Sequence, residues 1–501
     1  MSGKVFLVGA GPGDPDLITL KAINCLKEAD VVIYDYLIDK ELLDYTKIET
    51  ELIYAGKYSK HHVLSQEKIN KLLLKKAKEG KMVVRLKGGD SYLFGRGSEE
   101  ALFLEKHRLP FEVIAGVSSA LAVPSYAGIP LTHREIASQV TIITGHEDPN
   151  KEESSIDWKA LAKQKDTLVI LMGMENLSQI IDKLISYGKD KEIPVAVIRW
   201  GTTSDQKTVV GTLKDITKKV AKEKVKPPCV IVVGEVVNLR EKLNWYEQRP
   251  LFGKKILVTR PLEQASEFCK LLQANGAAPI EYPLIKIVEL EDYTELDNKI
   301  KNLSQYHWLI FTSVQGVKYF VKRLFKLGKD IRELKGIKIA AIGPKTAKEI
   351  SKYGVLIDLV PPERFIAESI VSKFKEVDLK NKKILFPRAK EAREVIAQEL
   401  EKREATVDEV ACYQTVKEDN LKKEEIKELI KKKEINVITF TSSSTVKYFY
   451  QDFGKCNLDG MKIACLGLVT AKTAQDLKIK VDIISPVHTI EGLIEEMIKK
   501  L

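Results

Sequence analysis

The chain has 501 residues, 44% hydrophobic and 30% charged, with a formal net charge of +11. That length exceeds one ordinary hydrophobic core and sets an expectation of about three domains. No apolar run of about 18 residues occurs, so no membrane-spanning helix is expected, and the positive charge fits either a nucleic acid or a large polyanionic small molecule. The lysines are spread through amphipathic stretches such as 214–226, and no nucleic-acid motif is present, so the small molecule is the expected partner. The six cysteines, Cys25, Cys229, Cys269, Cys412, Cys456 and Cys465, show no Cys-x-x-Cys spacing. A reducing cytoplasm and no zinc site follow as expectations. The apolar run 5–10 is too short, and too soon followed by Gly-Pro-Gly-Asp, to read as a signal peptide.

Residues 4–8 predict a first strand, followed by the turn Gly9-Ala10-Gly11-Pro12-Gly13-Asp14-Pro15-Asp16. A helix over 17–29 and a strand over 31–34, ending at Asp35, come next. A glycine-rich turn followed by an acid resembles a dinucleotide site and would suit an NAD-dependent oxidoreductase. The last glycine of that pattern is replaced by Asp14, with prolines at 12 and 15. Carboxylates there would repel a pyrophosphate, so no NAD is expected.

After Ala55-Gly56-Lys57 and a helix over 66–80, the run Met82-Val83-Val84 opens a buried strand that stops at Gly88-Gly89-Asp90. Paired glycines bring backbone close to a ligand, and ligands of open α/β sheets sit beyond the carboxyl ends of strands. A polar, phosphate-free molecule suits that turn; a tight turn with a capping Asp is the alternative. Further strand ends carry glycine and a hydroxyl or acid: Gly116-Val117-Ser118-Ser119, Thr144-Gly145-His146, Gly201-Thr202-Thr203 and Cys229 to Gly234. Strands are expected over 140–144, 167–172, 194–200 and 230–233. Alternating strands and helices predict an α/β architecture.

Gly9 to Asp14, Arg85-Leu86-Lys87-Gly88-Gly89-Asp90, Gly95-Arg96-Gly97, Ala127 to Arg134 and Thr144-Gly145-His146 stand in the order and spacing of uroporphyrinogen-III C-methyltransferases. The resemblance covers residues 1–243. It implies the tetrapyrrole methylase fold, two α/β subdomains with S-adenosylmethionine (SAM) between them. It places SAM contacts at Pro12, Gly88, Gly89, Asp90, Leu93, Ser118, Ser119, Met172, Gly201 and Cys229. The acid–base pair proposed for that family falls on Asp35 and Lys57, and the family implies a homodimer through this half. The sequence departs from the family at Tyr36, Ser91, Ala115 and Ser118, the last of which keeps a hydroxyl.

Methyl transfer needs mainly positioning, and Asp35 could take the proton released as the methylated ring rearranges. The resemblance implies a polycarboxylate substrate, for which Arg85, Arg96, His133 and Arg134 are candidate partners. The alternatives are a helix-capping Asp35, a solvated Lys57 and a structural His133.

Residues 244–253 break the periodicity and read as a linker. A second unit over 254–501 contains an internal repeat. Lys254-Lys255-Ile256-Leu257 recurs as Lys382-Lys383-Ile384-Leu385. Phe311-Thr312-Ser313 recurs as Phe440-Thr441-Ser442, and Ile342-Gly343 with Thr346 recurs as Leu466-Gly467 with Thr470. Two α/β lobes facing a cleft are expected. Thr312, Ser313, Thr346, Thr441, Ser442 and Thr470 then stand at helix N-termini suited to carboxylates, or serve as plain N-caps. Together with Phe386-Pro387-Arg388 and Tyr413-Gln414-Thr415, these residues resemble uroporphyrinogen-III synthases. That family is two-lobed and cyclises hydroxymethylbilane with inversion of its last ring. Tyr413 matches the family's functionally important tyrosine, whose phenol could assist loss of the substrate hydroxyl; a buried structural tyrosine is the alternative. The two resemblances imply one cytoplasmic enzyme that makes uroporphyrinogen III and methylates it twice to precorrin-2, with no metal.

Overall fold

A computed structural model describes residues 3–56, 64–147, 154–361, 367–391 and 395–501. The chain divides into two compact units, Met1–Gly253 and Lys254–Leu501. Each holds two five-stranded sheets.

In the first unit, β1 (Lys4–Gly9), β2 (Val31–Tyr34), β3 (Glu51–Tyr54), β4 (Met82–Lys87) and β5 (Phe111–Ile114) form a wholly parallel sheet in the order β3-β2-β4-β1-β5. Its near-continuous Val, Ile and Leu runs match strands covered on both faces. The helix Gln66–Lys78 shows how it is covered. Ser65 accepts from the Lys68 N–H and starts the helix, and Ile69, Leu73 and Ala77, four residues apart, form its buried stripe. The expected helix over 17–29 divides in two. A single 3-10 turn, Pro15–Leu17, precedes a helix Leu20–Glu28 capped by Thr19. The glycine-rich turn therefore does not present an α-helix N-terminus, the feature a pyrophosphate would need.

The second sheet contains β6 (Val140–Thr144), β7 (Thr167–Leu171), β8 (Pro194–Arg199), β9 (Lys207–Thr212) and β10 (Cys229–Val233), in the order β6-β7-β10-β8-β9. Strand β10 runs antiparallel to both neighbours. β9 is an edge strand with few apolar residues, which hid it from a reading by apolar runs.

Residues 244–253 are not a linker. Tyr246 and Leu251 are buried, and the Tyr246 hydroxyl donates to the Thr202 carbonyl at 3.0 Å. Glu247 accepts from Gln206 and Thr208 and pairs with Arg240. The Arg249 guanidinium lies 4.7 and 4.8 Å from the Trp245 and Tyr246 ring centres. Tyr246 and Leu251 need tertiary partners to be buried, and the first unit supplies them.

The second unit has the duplicated form expected. β11 (Lys255–Val258), β12 (Ala278–Glu281), β13 (Ile285–Val288), β14 (Trp308–Phe311) and β15 (Lys338–Ala341) come from the first repeat. β16 (Lys383–Ala389), β17 (Thr406–Lys417), β18 (Val437–Phe440), β19 (Lys462–Cys465) and β20 (Ile483–Ile484) come from the second. One lobe is ordered β12-β11-β18-β19-β20 and the other β13-β17-β16-β14-β15. Each lobe thus joins the opening strands of one repeat to the closing strands of the other. The lobes are connected by β13 and the end of β17, which pair antiparallel.

Candidate functional site

In the first unit the loops after β1 and β4 lie side by side. The Gly11 N–H donates to the Gly89 carbonyl at 3.2 Å, and the Gly89 N–H to the Gly11 carbonyl at 2.6 Å. Gly89 has φ +68°, and Gly201 leaves no room for a side chain, since a Cβ there would stand 2.3 Å from Val123. Asp90 holds the turn together. Its Oδ1 accepts from the Tyr92 and Leu93 N–H groups at 2.8 and 3.0 Å, and its Oδ2 from the Gly116 N–H at 3.0 Å. Gly-Gly-Asp is thus a backbone-shaping turn, and the carboxylate ties the β4 loop to the β5 loop.

A cleft of about 440 Å³ opens over these loops. Pro12, Gly88, Gly89, Asp90, Leu93, Ser118 and Ser119 line it from the first sheet, and Met172, Gly201 and Cys229 from the second. The ten expected cofactor positions thus share one cavity. Ser118 is largely spent as a helix cap, accepting from the Ala120 N–H at 3.2 Å. Burial pushes the Cys229 thiol up to about 12, so it stays neutral and serves as an apolar wall. Leu37, His146, Glu175 and Trp200 also line the cleft. Of these only His146 had a signal, in Thr144-Gly145-His146.

Asp35, at the carboxyl end of β2, is held by a buried network. Arg85 Nη2 donates to Asp35 Oδ1 at 2.5 Å, and Arg85 Nε to Glu100 Oε1 at 3.2 Å. Glu100 Oε1 also accepts from Lys87 Nζ at 2.9 Å and Gln66 Nε2 at 3.0 Å. Burial, then the neighbouring Arg85, lowers the Lys87 pKa. Arg85 Nη1 donates to the Ile33 and Leu86 carbonyls. Arg85 was expected to meet a substrate carboxylate; its side chain is 2% exposed, so it orients Asp35 instead. Sequence reasoning missed Glu100, whose role depends on a helix packing over β4.

Lys57 lies outside the described residues. Arg96 is exposed and forked onto Glu99 at 2.7 and 2.8 Å. His133 Nδ1 accepts from the Glu135 N–H in a turn, and Arg134 is exposed; neither lines the cleft.

In the second unit, Tyr413 sits where β17 leaves β16 for β13, beside a bulge at Cys412. Its hydroxyl is 3.1 Å from Ser313 Oγ, and its ring stacks on Tyr319 with centres 5.6 Å apart. Burial raises the Tyr413 pKa, which keeps the phenol protonated. The structure thus joins two residues 100 positions apart that sequence reasoning nominated separately. Ser313 also caps the helix Val314–Lys326 by accepting from the Gly316 N–H at 2.9 Å. Ser442 does the same for Ser443–Phe453 in a capping box with Thr445. Thr346 and Thr470 are buried, and Thr312 and Thr441 are partly exposed at strand ends. The helices after Gly343 and Gly467 have no side-chain cap.

A family model described as tetrapyrrole (corrin/porphyrin) methylases matches residues 4–217, and one described as uroporphyrinogen-III synthase HemD matches 266–495. The porphyrin biosynthesis protein HemD of Ruminiclostridium josui is 37% identical over 499 residues, 99% of this chain and 98% of that protein. The uroporphyrinogen-III C-methyltransferase of Methanocaldococcus jannaschii is 57% identical over 240 residues, 48% of this chain and 98% of its own. A protein of Methanosarcina barkeri named S-adenosyl-L-methionine-dependent uroporphyrinogen III methyltransferase is 54% identical over 247 residues, 49% of this chain and 96% of its own.

Proposed function

Because this chain belongs to the family that joins a tetrapyrrole methylase to a uroporphyrinogen-III synthase, we propose that it carries two consecutive steps of tetrapyrrole synthesis. The second unit cyclises hydroxymethylbilane to uroporphyrinogen III with inversion of the last ring. The first unit methylates that product twice, giving precorrin-2, and draws the methyl groups from SAM. The convergence of ten widely separated residues on one glycine-lined cleft carries the reading.

The cleft suits SAM in its chemistry. Backbone at Gly88 and Gly89 faces the amino-acid end or the ribose without steric hindrance. Leu93, Met172 and neutral Cys229 offer apolar surface to the rest. When bound, SAM supplies an electrophilic methyl group. The protein's part is to hold the pyrrole carbon in line with it and to accept the proton that the methylated ring loses. Asp35 fits that second task, since Arg85 fixes one of its oxygens and its side chain remains 28% exposed. In the second unit, the protonated Tyr413 phenol is the candidate to assist departure of the substrate hydroxyl. The reading needs neither NAD nor a metal, and it includes a homodimer through the first unit.

The test is anaerobic incubation with hydroxymethylbilane and SAM, followed by product mass. The expected product is uroporphyrinogen III plus two methyl groups. Sirohydrochlorin formed on adding NAD would place the end of the reaction elsewhere.

A further inference from the structure

Arg260 and Arg388 are counterparts in the internal repeat, each three residues past the matching Leu257 and Leu385. Each also stands by the point where strand order reverses. β11 adjoins β18 in one lobe, and β16 adjoins β14 in the other. Ligands of open α/β sheets bind in the crevice at such a point.

The two arginines are in different states. Arg388 is paired with Glu409 on β17. The repeat supplies a counterpart to that acid as well, since Glu281 lies opposite Val258 as Glu409 lies opposite Phe386. Arg260 does not pair with Glu281. Its Nη2 donates to Gln264 Oε1 at 2.8 Å, while its Nε and Nη1 are buried without a hydrogen-bond partner. Glu267 and Glu491 act on Arg260 only at longer range; both are engaged by Lys345, at 3.5 and 3.4 Å. The residue as a whole is partly exposed. Buried donors without acceptors are unfavourable, and a carboxylate supplies two acceptors in the fork geometry a guanidinium prefers.

We propose that Arg260 binds a carboxylate of the open-chain tetrapyrrole substrate, and that Arg388, neutralised by Glu409, is its structural counterpart. This rests on the synthase reading of the second unit. It makes the two matching strand ends of the repeat electrostatically unlike, so a polycarboxylate chain with two unlike ends is held in one direction.

The test uses the full chain with hydroxymethylbilane, reading KM, kcat, the ratio of type III to type I product, and Tm. Arg260→Gln is expected to raise KM about 10–100-fold, the worth of a hydrogen bond to a charged group, with Tm unchanged or higher. Arg260→Lys should fall between. Arg388→Gln should lower Tm, because its ion pair with Glu409 is lost, and leave KM in place. An unchanged KM in folded Arg260→Gln overturns the proposal. So does a lowered Tm with unchanged KM, which would give Arg260 a purely structural role. If the Gln variant does not fold, Arg260→Lys decides by the same two readouts. A wild-type chain that leaves hydroxymethylbilane to close unaided to the type I product removes the synthase reading and this proposal with it.

Discussion

The cleft of the first unit is shaped by glycine backbone at its strand ends, whereas the candidate site of the second is shaped by side chains. Around the first, glycines stand where strands end, and Gly89 at φ +68° has a conformation few other residues accept. Around the second, serines and threonines stand at the ends of duplicated strands, and Ser313 and Ser442 are already occupied as helix caps. A hydroxyl at a helix start always has this competing task. A glycine at positive φ against a neighbouring loop has no comparable alternative. Glycine patterns therefore locate a site more firmly than hydroxyl patterns do.

The largest test of this contrast removes a buried charge from the first unit. Glu100→Gln leaves Arg85 and Lys87 buried with a weaker partner and should destabilise the first unit by about 3–5 kcal/mol. Urea unfolding would measure it. Methyl transfer should fall while formation of the type III isomer from hydroxymethylbilane continues; loss of both would mean the units do not fold separately. Next in size is a cut of the chain. Residues 1–253 alone should fold, whereas 1–243 should be less stable by about 3 kcal/mol or more, because Tyr246 and Leu251 lose their burial. Equal urea midpoints would return 244–253 to the role of a linker.

Gly89→Ala probes the glycine cradle directly. The left-handed conformation costs a residue with a Cβ about 1–2 kcal/mol, and the added methyl enters the cleft. KM for SAM should rise, and unchanged SAM binding by calorimetry would take Gly89 out of the site. Ser442→Ala is the corresponding change in the second unit and the smallest. Loss of the cap should cost about 1 kcal/mol with synthase turnover unaltered. Lost turnover in a chain that melts normally would make Ser442 a ligand contact and weaken the contrast.

Much of this molecule was legible one strand at a time. Apolar runs marked most strands of the first unit, and the repeat marked two lobes. The failures share a physical cause. β9 has the polarity of an edge strand, and 244–253 has the irregular composition of a loop although Tyr246 and Leu251 are buried. Arg85 looked like a carboxylate ligand because its sequence neighbours are ligand-facing glycines.

The sequence by itself determined the fold class, the duplicated second unit and the glycine turns, because strand periodicity and positive φ are local demands that local residues must meet. Only the tertiary structure decided which charges are spent within the fold. Arg85 meets Asp35 from 50 positions away, and Tyr413 meets Ser313 from 100. Arg388 finds Glu409 while its counterpart Arg260 is left with two unpaired nitrogens. An ion pair or a buried donor depends on which distant strand lies alongside and on how much water it displaces, and neither is a property of neighbouring residues.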